Sequence, residues 1–519
     1  MNPKATLFDY LAAQVAERPN AIAYLEEDVV TTFAEVDLRA GKCRAALTMA
    51  GVKPGDRVAL AMSDSVDLVV ALLAVMGLGA IAVPCCVTAK ADELAYMIGH
   101  PEPVCVIVST DQWQAYVAAR AHLPGSLLVL TMGPGTPDGD TIDLSAAERD
   151  ASSHDIVSLD ADAPAVILYT SGTTGYPKGA IHRHRDIPHI IEATGRGVYG
   201  IGPGDRMFSS ARIFFSYGFS SSVSVPLGLG ATAILVRPRP TPQLIIDVFD
   251  RYDPTAFFSV PAIFRALLDH HRETGALQTR ALRFCASGGE KLPPAVLQEW
   301  KAVTGADILD VIGTTEVMYG FISSRPGKIK PGSVGQPITG YDVRLVDEEG
   351  SFVECAGRGR LQVQGASIST HYWGDAHKSG LLHDGWLSTG DIFSRDDDGY
   401  YFFEGRSDDL FKSSGMWVSP AEVEAALLKH PVVSDAAVTS EPSGDGGFAS
   451  VAHIVLQAGA AAESATADTI MAHVATCLPR YKRPQKLQFI DVIPRTATGK
   501  IRRFQLRPGA PKAMAAPAV

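Results

Sequence analysis

The chain lacks the marks of a disulfide scaffold. Its seven cysteines, at 43, 85, 86, 105, 285, 355 and 477, form no C-x-x-C pair and are odd in number. That usage suits reduced thiols in a cytoplasm and argues against structural bridges. Basic excess is missing too: 46 Lys and Arg stand against 57 Asp and Glu, a net charge of −11 over 519 residues. Phosphate-backbone binding needs basic surface, so nucleic acid is not the main partner. The N-terminus, MNPKATLFDYLAAQVAERPN, has no signal-peptide pattern and reads as an amphipathic helix with Leu7, Leu11 and Val15 on one face. An unbroken membrane span is also absent. The twenty uncharged residues from Leu68 to Val87 are interrupted by Gly77, Gly79 and Pro84. They read as a buried helix to about Met76, a glycine turn and a strand at AIAVP. No internal repeat is visible.

What is present is the composition of a globular protein, 46% hydrophobic and 20% charged. The length suggests about three folding units. Short apolar runs, RVALAM, PVCVIVS, SLLVLT, AVILYT, TAILV, TAFFSV, LRFCASG and DILDVIG, alternate with helical patterns over the first four hundred residues. Strands separated by helix-length segments imply an α/β fold of parallel sheets covered by helices, with ligands at the carboxyl ends of the strands. The texture changes after YYFFEGRSDDLFKSSGMWVSP. Ser419, Pro420 and Glu422 form a capping-box pattern before the helix AEVEAALLKH. DAAVTS, VAHIVL, a helix near Ile470 to Cys477 and KLQFIDVI then complete a small α+β unit of about 110 residues. The expected division is an N-terminal domain over 1–407 and a C-terminal one over 408–519, with a linker around Arg406 to Asp409. The tail PGAPKAMAAPAV is Pro/Ala-rich and expected to be disordered.

One loop carries chemistry. YTSGTTGYPKGA, Tyr169 to Ala180, gathers three glycines and four Ser/Thr hydroxyls around Lys178, after the strand-like run AVILY. A phosphate cradle needs glycine so that backbone N–H groups can approach the anion, and hydroxyls plus a cation to complete the coordination. A Walker loop places Gly directly before its Lys and opens a helix. Here Pro177 precedes Lys178 and Gly179 follows it, so this is a different phosphate loop. A glycine-rich turn at a sheet edge fits the same composition.

Four further patches follow in order. GTTE, Gly313 to Glu316, places hydroxyls and a carboxylate at a strand end, where Mg2+ bridging phosphates could be held. WLSTGD ends in Asp391, a carboxylate suited to a ribose diol; GRSDD offers Arg406 beside Asp408 and Asp409; PRTATGKIRR presents Lys500 on a Gly-containing turn. Singly, Asp391 fits a surface turn, Arg406 a solvated ion pair and Lys500 a basic tail. His182, Arg183 and His184 invite a metal reading, but no third ligand accompanies the two histidines.

With YTSGTTGYPKG, GTTE, STGD, GRSDDLFKSSG and PRTATGKIRR in this order and spacing, the chain resembles the adenylate-forming superfamily of acyl-CoA synthetases, adenylation domains and luciferases, nearly from end to end. ARIFFSYGF, RPRPTP, SVPAIF and CASGGEKLP make it similar, within that superfamily, to the benzoate-type aryl-CoA ligases. The resemblance implies a large N-terminal domain and a small mobile C-terminal one, in a cytoplasmic ligase that uses ATP, Mg2+ and coenzyme A. It implies that Thr170, Ser171, Gly172, Thr173, Thr174, Gly175 and Lys178 embrace the phosphates that leave as pyrophosphate. Glu316, beside Thr315, would hold Mg2+; Gly288, Gly289 and Glu290 would lie by the adenosine; Asp391 and Arg406 would take the ribose hydroxyls. Lys500 would bridge the substrate carboxylate and the α-phosphate, Asp408 would be the hinge of a domain rotation, and Lys412 would enter for the second half-reaction.

For the acid, the resemblance points to Phe215, Ser216, Tyr217, Val225, Gly313 and Tyr319. FFSYGFSSSVSVP pairs aromatics with small residues, which suits a flat ring in a slot; Tyr217 and Tyr319 also fit a plain core-filling role. Benzoate enzymes carry Ala, His and Phe where Ser216, Tyr319 and Val225 stand, so the implied acid is a hydroxy- or aminobenzoate such as 2-aminobenzoate. An α-amino acid is disfavoured, because its activating enzymes place Asp where Ser216 stands. A carrier protein in place of CoA stays open, as does a homodimer. A luciferase-type monooxygenase rests only on the shared motifs. A nucleotide-binding regulator without catalysis would have no need of Lys500.

Overall fold

Each of those apolar runs forms a strand, and their pairing builds two large sheets. The structure is a computed structural model that describes residues 4–123, 125, 127–135, 141–170, 176–374, 382–407, 409–413, 416–442, 448–457, 459–495 and 501–507. The nine-stranded sheet runs, in spatial order, Gln336–Pro337, Gly320–Ser323, Asp307–Gly313, Phe284–Gly288, Ala256–Ser259, Arg206–Ser209, Thr232–Leu235, Ile22–Glu26 and Val29–Thr32. The seven-stranded sheet runs Ile142–Asp143, Leu128–Met132, Cys105–Ser109, Arg57–Ala61, Ile81–Pro84, Pro164–Tyr169 and Gly179–Arg183. The parallel expectation holds in their centres and fails at both ends of the nine-stranded sheet and at one end of the seven-stranded one. Ile22–Glu26 with Val29–Thr32, Asp307–Gly313 with Gly320–Ser323, and Pro164–Tyr169 with Gly179–Arg183 are antiparallel. The connections there are too short for a crossover, so the chain can only turn back.

The uncharged run from Leu68 becomes the helix Val66–Gly77 and the strand Ile81–Pro84. The Ser65 hydroxyl accepts the Leu68 N–H at 3.2 Å as the helix cap. Every residue of this helix except Asp67 is buried, which explains apolar character all round without a bilayer. Among the described residues no helix is long and apolar enough to cross a membrane. The first helix, Leu7–Glu17, buries Leu7, Phe8 and Leu11 and leaves Val15 half-buried.

Contacts divide the chain into two compact units, one from Met1–Thr170, Pro177–Val343 and Val363–Leu387, the other chiefly from Arg344–Gln362 and Ser388–Val519. The division differs from the sequence boundary at 407/408, because the stretch after Ser388 is tied to 344–362. Thr389 Oγ1 donates to the Leu361 carbonyl at 3.2 Å, and Arg395 donates to that of Cys355 at 2.7 Å. The core of the second unit gathers Val423, Leu427, Val438, Ile454, Ile470 and Val474 between the helices Pro420–Leu427 and Ser464–Cys477 and the sheet of Val433–Pro442, Phe448–Leu456 and Lys486–Phe489. Pro420 takes the first helical position as expected, but the capping box does not close: Ser419 makes no side-chain cap bond. The Glu422 carboxylate is engaged instead by Lys482 Nζ at 2.7 and 2.6 Å.

Arg503 holds this unit from its far end. Its Nη2 donates to both oxygens of buried Glu424, at 2.7 and 2.8 Å, and Nη1 lies 3.2 Å from Asp409. Glu424 also accepts the Val438 N–H at 2.8 Å. Removing one partner leaves a buried charge without compensation, so Arg503→Ala is expected to destabilise the second unit by about 3 kcal/mol. Chemical denaturation read by a probe in that unit checks it, and an unchanged midpoint would show the pair to be inert.

Candidate active site

The strand Pro164–Tyr169 is buried along its apolar run and ends where the glycine-rich loop begins; the chain returns along Gly179–Arg183, with Tyr169 opposite Gly179. The two ends of the loop are bonded together: the Thr170 N–H donates to the Lys178 carbonyl at 2.9 Å, and the Lys178 N–H to Thr170 Oγ1 at 3.3 Å. Ser171, Gly172, Thr173, Thr174 and Gly175 lie outside the described residues. Lys178 is exposed, with its amine 5.1 Å from the ring centre of Tyr372, a cation–π distance. The Tyr372 hydroxyl donates to Glu316 Oε1 at 2.5 Å. One phenol thus links the lysine of the first motif to the carboxylate of the second.

Glu316 sits in the turn Thr315–Val317 directly beyond the strand Asp307–Gly313. Three neighbours fix that turn. His182 Nε2 donates to the Thr315 carbonyl at 2.8 Å, the Ser369 N–H to the Glu316 carbonyl at 2.8 Å, and Ser367 Oγ to the Val317 carbonyl at 2.8 Å. His182 therefore supports the loop, and its Nδ1 faces Asp186 at 3.7 Å, which Arg183 clasps. His184 is buried elsewhere, against Phe8, and burial pushes its pKa down to about 4. Asp310, buried in the strand that leads to Glu316, has its carboxyl pushed up to about 8 by burial.

A second group forms where the strands of the nine-stranded sheet end. Gly288 closes the strand Phe284–Gly288, Gly289 turns at φ +85°, and Glu290 follows half-buried. The Tyr217 hydroxyl donates to the Ala286 carbonyl at 3.0 Å, and its ring centre lies 5.8 Å from that of Tyr319. Burial pushes both phenols well above their ordinary range, so both are neutral hydrogen-bond donors. A β-carbon at Gly313 would come within 2.4 Å of the Tyr319 carbonyl oxygen, and one at Gly218 within 2.0 Å of the Arg212 carbonyl oxygen. Glycine is what lets these segments approach. Ser216 opens the short helix Ser216–Phe219, which continues as the π-helical turn Ser220–Ser224. There Ser221 Oγ bonds back to the Tyr217 carbonyl at 2.7 Å, and Ser220 Oγ to that of Met318 at 3.2 Å. Two expected pocket residues have other partners. Phe215 packs on Phe214 at 4.6 Å and on the core of the seven-stranded sheet, and Val225 is buried against Gly195.

In the second unit, Asp391 and Arg406 face each other on paired strands, with Arg406 Nη1 3.2 Å from Asp391 Oδ1. Asp391 is buried and its N–H donates to Thr389 Oγ1 at 3.1 Å; Arg406 is half-buried. Lys412 pairs through its backbone with Trp417, and its side chain lies outside the described residues, as do Asp408 and Lys500.

A family profile for AMP-binding enzymes matches residues 11–373, and one for the AMP-binding enzyme C-terminal domain matches residues 422–500. The chain belongs to the AMP-binding enzyme family. It is 36% identical to a benzoate–CoA ligase of Thauera aromatica over 95% of this chain and 93% of that one. It is 33% identical to a 3-hydroxybenzoate–CoA ligase of an Aromatoleum species over 96% and 94%. The solved structure of the anthranilate CoA ligase AuaEII, in complex with anthranoyl-AMP, superposes with a TM-score of 0.90 at 33% identity and covers 98% of each chain. For an AMP-binding enzyme the Lys178–Tyr372–Glu316 arrangement is chemically apt: an ammonium for phosphate oxygens and a hard carboxylate oxygen for a divalent cation. Tyr372 was not anticipated. Its only sequence signal is an aromatic in the polar run SISTHYWGD.

Proposed function

We propose that this AMP-binding enzyme joins an aromatic acid of the benzoate class, amino- or hydroxy-substituted, to coenzyme A at the expense of ATP, releasing AMP and pyrophosphate. The observation that carries the reading is the pairing of Tyr217 with Tyr319 at the strand ends of the unit that also holds Lys178, Tyr372 and Glu316. A flat aromatic slot and a phosphate-handling pair then serve one reaction. Similarity to ligases of benzoate, 3-hydroxybenzoate and anthranilate supports the choice of acid.

The reaction brings a carboxylate against a phosphate, so its barrier is largely electrostatic. Thr170 and Lys178, at the two ends of the glycine loop, take the departing phosphates, while Asp391 and Arg406 orient the ribose. Glu316 is the residue that would hold Mg2+, which would supply charge neutralisation at the phosphates. Attack of the acid carboxylate on the α-phosphorus expels pyrophosphate and forms the acyl-adenylate. This is a mixed anhydride whose carbonyl the thiol then attacks, releasing AMP. No side-chain nucleophile is required. Asp408 is the hinge between the two half-reactions, and Lys412 acts in the second.

Tyr372 positions Glu316 and packs on Lys178 without touching the reacting atoms. Tyr372→Phe keeps the ring and deletes one charge-assisted bond, so adenylation should fall about tenfold and the Mg2+ dependence should shift to higher concentration. A drop with the Mg2+ dependence unchanged would reduce Tyr372 to packing.

The test of the function is pyrophosphate release from ATP and Mg2+ across benzoate, aminobenzoates, hydroxybenzoates, cinnamates and short fatty acids, with and without CoA. Release confined to aryl acids, with a CoA thioester formed, establishes the ligase. Release without transfer to CoA points to a carrier protein, whose phosphopantetheine is the same thiol arm. No release with any acid sinks the ligase reading.

A further inference from the structure

Three tyrosines crowd one face of the strands Ala256–Ser259 and Phe284–Gly288, and their hydroxyls are treated differently. Tyr217 donates to the Ala286 carbonyl. Among the described residues the hydroxyls of Tyr199 and Tyr319 make no hydrogen bond of good geometry, lying close only to each other and, for Tyr199, to Ser323, although these residues are only 2% and 3% exposed. Tyr199 follows the π-helical turn Ile191–Arg196, and three rings hold it in place. It stacks on Phe284 at 5.4 Å and 17°, meets Phe258 edge-on at 5.5 Å and meets Tyr319 edge-on at 6.3 Å. Its orientation is therefore fixed by packing that phenylalanine would provide equally well.

Burying a hydroxyl without a well-formed hydrogen bond costs up to about 1–3 kcal/mol, and here two such groups belong to rings less than 7 Å apart, centre to centre. Tyr319 is also the nearer neighbour of Tyr217, the residue proposed above to face the aromatic acid. We propose that Tyr199 and Tyr319 together recognise a protic substituent, hydroxyl or amino, on the ring of the acid. A hydroxyl can donate to one phenol oxygen and accept from the other; an amino group can donate to both. Hydrogen, methyl and fluorine can satisfy neither phenol as a donor, and a site built around polar partners rejects ligands that leave them unpaired. This inference rests on the aryl-ligase reading and names the part of its substrate that the sequence motifs leave open. Tyr199 is a specificity residue that no motif contains.

The experiment compares kcat/KM for pyrophosphate release with each hydroxy- and aminobenzoate against the fluorobenzoate of the same ring position, in the wild type, Tyr199→Phe and Tyr319→Phe. The wild type should favour one protic acid over its fluoro counterpart by about 10- to 100-fold. Each phenylalanine variant should lower that ratio about tenfold. A second readout is independent of turnover: without ligands, Tyr199→Phe should melt higher than the wild type, because a buried hydroxyl that lacks a well-formed hydrogen bond has been removed. Equal treatment of protic and fluoro acids by the wild type overturns the inference, as does a variant that slows all acids alike. No release with any acid overturns the ligase reading and this inference with it.

Discussion

Lys500→Ala should lower acid-dependent pyrophosphate release about a thousandfold, while thioester formation from supplied acyl-adenylate and CoA continues. The expectation rests on the charge problem of the first step. A carboxylate approaching an α-phosphate needs a cation between the two, and removing one preorganised group at such a centre typically costs 10²–10³ in rate. Lys178 and Glu316 are assigned to the departing phosphates and their cation, which leaves the attacking side to Lys500. That residue closes PRTATGK, at the end of the segment matched by the C-terminal domain profile. In the second step a thiol attacks the uncharged carbonyl carbon of the mixed anhydride, so no carboxylate has to be driven against a phosphate. Measuring the two half-reactions separately, with a melting curve to confirm folding, decides the matter. Loss of both in a folded variant would contradict the separation of roles.

What the sequence disclosed and what it concealed follow from the range of the interactions. AVILY read as a strand because a continuous apolar run between breakers is a local signal, and it forms Pro164–Tyr169. The Leu68 run divided at its glycines as expected, into Val66–Gly77 and Ile81–Pro84. The phosphate-loop composition and GTTE were legible as motifs because spacing along the chain is what they consist of. Tyr372 was hidden because its bond to Glu316 spans 56 positions and its contact with Lys178 depends on where three separate segments meet. Tyr199 was hidden for the same reason, since nothing local distinguishes a tyrosine whose buried hydroxyl will lack a well-formed hydrogen bond. Ser419 and Glu422 show the converse. The local pattern was correct in form, but Lys482 claims the carboxylate and tertiary contact overrides the cap. Antiparallel edges and π-helical turns also depend on connections and packing that periodicity does not encode.

Glu316→Gln separates charge from shape at the second motif. The amide oxygen can still accept from Tyr372, now at 2.5 Å from Oε1, and the turn is fixed through backbone carbonyls by His182, Ser369 and Ser367. Position is therefore conserved and only the negative charge is lost. If Glu316 holds the divalent cation, adenylation should fall by about 10²–10³-fold, and the loss should depend on the metal. Calorimetry should find ATP alone bound as in the wild type, while the gain in affinity on adding Mg2+ is reduced. Glu316→Asp keeps the charge but withdraws it by one methylene from Tyr372, so it should recover part of the Mg2+ effect and less of the rate. Wild-type turnover in Glu316→Gln, or an unchanged Mg2+ gain, would move the cation to another carboxylate. A loss of ATP affinity that is the same with and without Mg2+ would instead mean that the turn carrying Glu316 contacts the nucleotide itself.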